Sequence, residues 1–179
     1  TLQSISDRMP KKKLIIFGSP NLPWIRPLIS AFNAEKINTI CIDLIVTRNA
    51  AQWGSVRTLK TNELLWFVPP GFNGWFSYIF VRILQRRLRS LFSIGTYCLI
   101  SDPSLVKNIP EDVPFLYYMY DDNSSKEYEE RVACKKALAI VCTSRLLHSR
   151  TKILYQDKKV LYSTHSTNGI TRTYLQKKE

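Results

Sequence analysis

Two adjacent acids, Asp121 and Asp122, follow directly on the aromatic run Phe115 to Tyr120 in the string PFLYYMYDDNSS. A short apolar run of this kind reads as a buried strand, and acids at its end fall where open α/β sheets place their ligand sites. A carboxylate that is partly desolvated there gains affinity for a proton and can act as a general base. Asp121 is therefore the first catalytic candidate and Asp122 the second. The competing reading is structural: Asp-Asp-Asn-Ser-Ser also suits a loop and a helix N-cap, with Asn123 shaping the turn. The residue types alone leave both open.

Other reactive side chains are sparse. Asp102 precedes Pro103, a pairing that makes a turn more readily than a catalytic acid. His148 falls inside a predicted helix, at its surface or boundary, whereas His165 lies in a loop after the last predicted strand and is a candidate ligand. Cys41, Cys98, Cys134 and Cys142 have no CxxC spacing and lie in or beside apolar runs, the pattern of small buried hydrophobes in a reducing compartment. Neither histidine makes a zinc-ligand spacing with them, so no metal and no cofactor is expected. The chain has no GxGxxG, no GxxxxGK and no GxSxG, which argues against a dinucleotide enzyme, a P-loop NTPase and a serine hydrolase.

The elements that must position these residues alternate. Apolar runs at Leu14 to Phe17, Asn38 to Val46, Glu63 to Val68, Thr96 to Ile100, Phe115 to Tyr120, Leu138 to Cys142 and Lys159 to Tyr162 read as strands. Helical spacing appears at Trp24 to Lys36, with Pro27 tolerable in the first turn, at Gly74 to Phe92, at Lys126 to Lys136, and at Ser144 to Leu154 with Ser144 as its cap. Such alternation predicts right-handed crossovers and an α/β fold, a Rossmann-like three-layer sandwich with a mainly parallel sheet covered on both faces. The strands of a parallel sheet all end on one edge. Gly18, Ser19 and Asn21, at the end of the first strand, are thus candidates to line a cleft with the acids.

With 179 residues, 45% hydrophobic and 22% charged, the chain is sized for one domain. Its 26 Lys and Arg against 14 Asp and Glu give a formal charge of +12, which favours an anionic partner: nucleic acid, an acidic membrane surface or a phosphorylated ligand. Most aromatics sit in apolar runs that predict burial, which argues against nucleic acid, whose binding needs exposed stacking rings. No segment approaches the roughly 20 apolar residues of a membrane span and no signal peptide is evident, so an intracellular protein is expected. Along Gly74 to Phe92, Trp75 and the repeating Arg82, Arg86 and Arg89 combine interfacial aromatic and basic character, suited either to an acidic membrane surface or to a solvated basic face.

The order GSPNLPWIRPL, ELLWFVPPG, the Arg-rich helix, TYCLISDP, FLYYMYDDNSS, ALAIVCTS and KVLYSTHSTNGI resembles the N-terminal domain of GT-B fold glycosyltransferases that build bacterial surface polysaccharides such as capsule and lipopolysaccharide. YYMYDDNSS is similar to a strand that ends in an acidic "YD" loop, ALAIVCTSRLL to an "aD" strand and its helix, and KVLYSTHSTNGI to a strand ending in "pnGv" that leads toward a second domain. Two positions depart from the pattern: Ala139 stands where the "aD" acid is expected, and Thr167 where a proline precedes Asn168-Gly169.

The resemblance implies a basic extension over residues 1–13, a single acceptor-side Rossmann-like domain over 14–170, and from 171 to 179 the start of a linker to a second domain. That second domain would hold most of the nucleotide-sugar, a co-substrate rather than a cofactor, so residues 1–179 alone are expected to be inactive. It further implies a glycan or lipid-linked acceptor, a catalytic base among Asp121 and Asp122, acceptor contacts from Gly18, Ser19, Asn21, Asn123 and His165, and a cytoplasmic protein peripheral to the inner face of the membrane through Trp75, Arg82, Arg86 and Arg89. Two alternatives remain: a basic non-catalytic binding module, and a relative with other nucleotide-sugar chemistry such as epimerisation.

Overall fold

Apolar runs too short for stable helices take the extended conformation and bury their alternate side chains on opposite faces of one sheet. The computed structural model describes residues 13–19, 21–60, 62–71, 82, 86, 89, 91–92, 95–120 and 126–163. Through them run β1 (Lys13–Phe17), α1 (Ile25–Ala34), β2 (Asn38–Val46), a 3-10 turn (Ala50–Gln52), β3 (Val56–Lys60), β4 (Glu63–Val68), β5 (Thr96–Ile100), a 3-10 helix (Pro103–Asn108), β6 (Phe115–Met119), α2 (Glu127–Lys136), β7 (Ala139–Cys142), α3 (Arg145–Leu154) and β8 (Lys159–Tyr162).

The eight strands form one sheet in the order β3-β4-β2-β1-β5-β6-β7-β8. Every neighbouring pair is parallel except β3 with β4. The chain grows from β1 toward β2 and β4, then crosses back to β5 and continues to β8. The strand order therefore reverses beside β1, and at such a switch point the loops on either side diverge and leave a crevice.

Alternation along the central strands separates two cores. Leu14, Ile16, Cys41, Leu99 and Tyr118 face α1, meeting Trp24, Leu28, Ile29 and Phe32. Ile15, Phe17, Ile42, Trp66, Val68, Ile100, Tyr117 and Ile140 face the other way, against Leu105, Val106 and Ile109 of the 3-10 helix, Ala133 and Cys134 of α2, and Leu147 at α3. The result is the expected Rossmann-like three-layer sandwich.

Local signals agree with the elements they flank. Pro27 lies in the first turn of α1, where its missing N–H costs nothing. α2 carries Glu127, Glu129 and Glu130 in its first turn and Lys135 and Lys136 in its last, matched to the helix dipole. The Ser144 side chain accepts a hydrogen bond from the Leu147 N–H at 3.1 Å and caps α3.

β3 has no counterpart among the expected strands. VRTLK has all five residues exposed, so no apolar alternation marks it, and it is recruited by antiparallel pairing to β4 with a register shift between Thr58 and Lys60. Its Arg57 and Lys60, together with that irregularity, discourage further strand addition at this edge. The expected helix over Gly74 to Phe92 falls largely outside the described residues, although Arg82 and Arg86 have helical backbone. Residues 1–12 and 164–179, which hold most of the expected extension and all of the linker, also lie outside them.

Candidate functional site at the carboxyl edge of the sheet

β1 ends at Gly18, whose N–H donates to the Ile42 carbonyl at 3.0 Å. The Gly18 carbonyl accepts from the Cys41 thiol, also at 3.0 Å. Burial, with the Asp43 and Glu63 charges added, pushes the Cys41 thiol up to about 12, so it stays protonated and can donate. Close approach favours glycine here: a Cβ would lie 2.7 Å from Cδ1 of Ile25, the fully buried first residue of α1, which would have to shift. The four cysteines are free and buried, as their apolar surroundings predicted.

Between the ends of β1, β2, β4 and β5 opens a cleft of about 360 Å³, lined by Phe17, Gly18, Asp43, Leu44, Val46, Val68, Gly71, Ser101, Asp102 and Leu105. It sits at the switch point. Its walls are mainly apolar, with Asp43, Ser101, Asp102 and the Gly18 backbone as the polar groups, the composition of a small-ligand site. Gly71 has φ of 70°, a left-handed conformation that glycine adopts freely, and it turns the chain after Pro69-Pro70 at the cleft rim.

Asp102 is committed to structure. Its Oδ1 accepts from the Ser104 N–H at 3.0 Å and the Ser104 hydroxyl at 2.8 Å, capping the 3-10 helix as Asp before Pro suggested. Both carboxylate oxygens also accept from Lys126 Nζ, at 2.9 and 3.0 Å. Burial works to raise its proton affinity, but the hydrogen bonds from Lys126 and Ser104 and the Lys126 charge outweigh it and hold the carboxyl below the usual range. A group whose folded pKa is depressed stabilises the fold above its unfolded pKa and loses that contribution as pH falls through the folded value. Both side chains are more than a third exposed, so Asp102→Asn should cost only about 0.5–1 kcal/mol at pH 7. Urea unfolding of both proteins should show this gap closing as the pH falls below the ordinary carboxylate range; an equal gap at every pH would mean that the carboxylate charge contributes nothing.

Asp121, Asp122 and Asn123 lie outside the described residues, but the chain on either side of them is anchored. The Met119 carbonyl accepts from the Thr143 N–H at 3.1 Å, and the Tyr120 carbonyl from the Thr143 hydroxyl at 3.2 Å, fixing the incoming stem to the end of β7. The outgoing stem is held by Lys126 on Asp102, a wall of the cleft. Ser19 and Asn21 behave differently from Gly18: the Ser19 hydroxyl accepts from the Asn21 N–H at 3.4 Å, and Asn21 Oδ1 accepts from the Arg26 guanidinium at 3.3 Å, tying the loop to α1.

The same edge carries an aromatic group that the residue pattern hid. Trp24 stacks on Tyr118 with ring centroids 4.6 Å apart and 12° between planes, and it lies 6.2 Å from the tilted ring of Tyr120, which is 48% exposed. Aromatics in apolar runs read as core; what distinguishes Tyr120 is its place just past the end of β6. Asp43 lies within β2 and also lines the cleft. Its signal was being the only charge inside NTICIDLIV.

His148 is half-buried within α3, with its ring 6.0 Å from that of Tyr162. His165, Asn168, Gly169 and Trp75 lie outside the described residues. Arg82, Arg86 and Arg89 come together, but around a separate cleft with Phe92, Pro110 and Asp112. Among the described residues no helix is long and apolar enough to cross a membrane. No known protein family matches the chain, and no curated protein matches it.

Proposed function

We propose that the chain is the acceptor-side domain of a glycosyltransferase that moves a sugar from a nucleotide-sugar to a surface-polysaccharide or lipid-linked glycan acceptor. The observation that carries this reading is the switch-point cleft with the outgoing stem of the Asp121-Asp122 string tied to its wall through Lys126 on Asp102. A phosphate loop is missing from the end of β1, where GSPNLPW leads into α1, which fits a domain that receives an acceptor and leaves the nucleotide mainly to a second domain. In this reading Asp121 takes the proton from the acceptor hydroxyl, with Asp122 next to it. Trp24 and Tyr120 offer ring faces at the same edge, and the apolar cleft walls exclude water from the reacting groups.

The test is product analysis of the full-length protein incubated with labelled nucleotide-sugars and a glycan or lipid extract. Label passing to the extract with release of free nucleotide supports the proposal. Label kept on the nucleotide with the sugar's configuration changed would instead establish epimerisation.

A further inference from the structure

Arg82, Arg86 and Arg89 follow one another at spacings of four and three, and with Phe92, Pro110 and Asp112 they line a cleft of about 350 Å³. All three arginines are exposed. The cleft belongs to the amino edge of the sheet: Phe92 lies just before Gly95, whose carbonyl accepts from the Lys13 N–H at the start of β1, and Pro110 and Asp112 lie in the turn that enters β6. It is therefore at the opposite end of the strands from the switch-point cleft and has no part in the reaction proposed there.

Three guanidinium groups against one carboxylate give the cleft lining a formal charge of +2 by residue type. Each guanidinium is a planar fork of donors that fits two oxygens of a tetrahedral oxyanion, and side chains three and four apart share a helix face, so several forks can converge on one anion. Phe92 and Pro110 form an apolar wall against which the uncharged part of such a ligand can lie, and about 350 Å³ suits a phosphate ester better than a bare halide or a single carboxylate. The three exposed arginines border a concavity rather than a flat face.

The geometry points to a phosphate-binding site in the Arg82, Arg86 and Arg89 cleft, separate from the carboxyl-edge site, that takes a phosphate ester either as a soluble ligand or as the headgroup of an acidic lipid. Asp112 limits the site to anions strong enough to tolerate a neighbouring carboxylate. Binding should be steeply salt-sensitive, since the cations are exposed and their field is screened within about 8 Å at physiological ionic strength.

Two measurements on the same protein test this. Pyrophosphate is titrated by calorimetry at low salt, and flotation is followed with phosphatidylcholine vesicles with and without phosphatidylglycerol. The paired substitutions Arg86→Gln and Arg89→Gln should weaken whichever binding occurs by about tenfold or more. Asp112→Asn, which removes the opposing carboxylate, should strengthen it, and Arg57→Gln on the distant edge strand should leave it unchanged. Pyrophosphate binding with these responses marks a soluble-ligand site; flotation confined to the anionic vesicles, with the same responses, marks a lipid headgroup site. The proposal is overturned if neither probe binds, or if binding is indifferent to Arg86, Arg89 and Asp112. Because Asp112→Asn is expected to improve binding, a loss caused by misfolding cannot imitate the predicted pattern.

Discussion

Asp121→Asn in the full-length protein should reduce sugar transfer by about 10²- to 10⁴-fold, the range that a positioned general base contributes. The amide has nearly the shape of the carboxylate and can still cap a loop, so the substitution removes proton acceptance while keeping local hydrogen bonding. Of the two carboxylates lining the described cleft, one is already committed. Asp102 is held ionised by Lys126 and Ser104 and is spent on the 3-10 cap, which leaves it a poor proton acceptor. Asp43 is the other acid among the lining residues. If Asp121→Asn turned over at near the normal rate with an unchanged circular dichroism spectrum, Asp121 would be a loop residue and Asp43 the next to substitute.

Phe17→Ala should be the most damaging single change to the fold that also touches the site. Phe17 is 1% exposed, pairs in register with Ile42 and Ile100, and its ring belongs to the larger core while also walling the cleft. Removing a buried aromatic ring in a close-packed centre leaves a cavity and costs about 3–5 kcal/mol, a large share of the roughly 5–15 kcal/mol by which a domain is stable. Val46 lines the same cleft but is 64% exposed, so Val46→Ala should fall within about 0.5 kcal/mol of the parent. Urea midpoints for the two variants separate the cases: similar losses would mean that the cleft wall at Phe17 is not part of the core.

The parallel core was legible because its strands are continuous apolar runs ended by turn residues. Asn38 to Val46 and Glu63 to Val68 begin and end where the residues predicted. Burial on both faces removes the need for alternation and leaves length and flanking Gly, Pro and Asn as the guide. β3 was illegible for the opposite reason: an exposed edge strand owes its conformation to its partner and not to its own side chains. At the site, position was readable and engagement was not. Gly18 could be placed at a strand end, but its contact with Ile25, and the ties of Ser19 and Asn21 to their own loop, depend on how α1 packs. Trp24 and Tyr120 were hidden because a ring at the rim of a sheet has the same neighbours in sequence as a ring in its core.

On the proposed division of labour this chain receives the acceptor, and calorimetry on residues 1–179 tests that most directly. Titrating the chain with glycan fragments of candidate acceptors and, separately, with nucleotide-sugars should give saturable binding of a glycan that weakens when Tyr120 is replaced by Ala, and no tight binding of any nucleotide-sugar. Tight binding of a nucleotide-sugar to this chain alone would contradict the account.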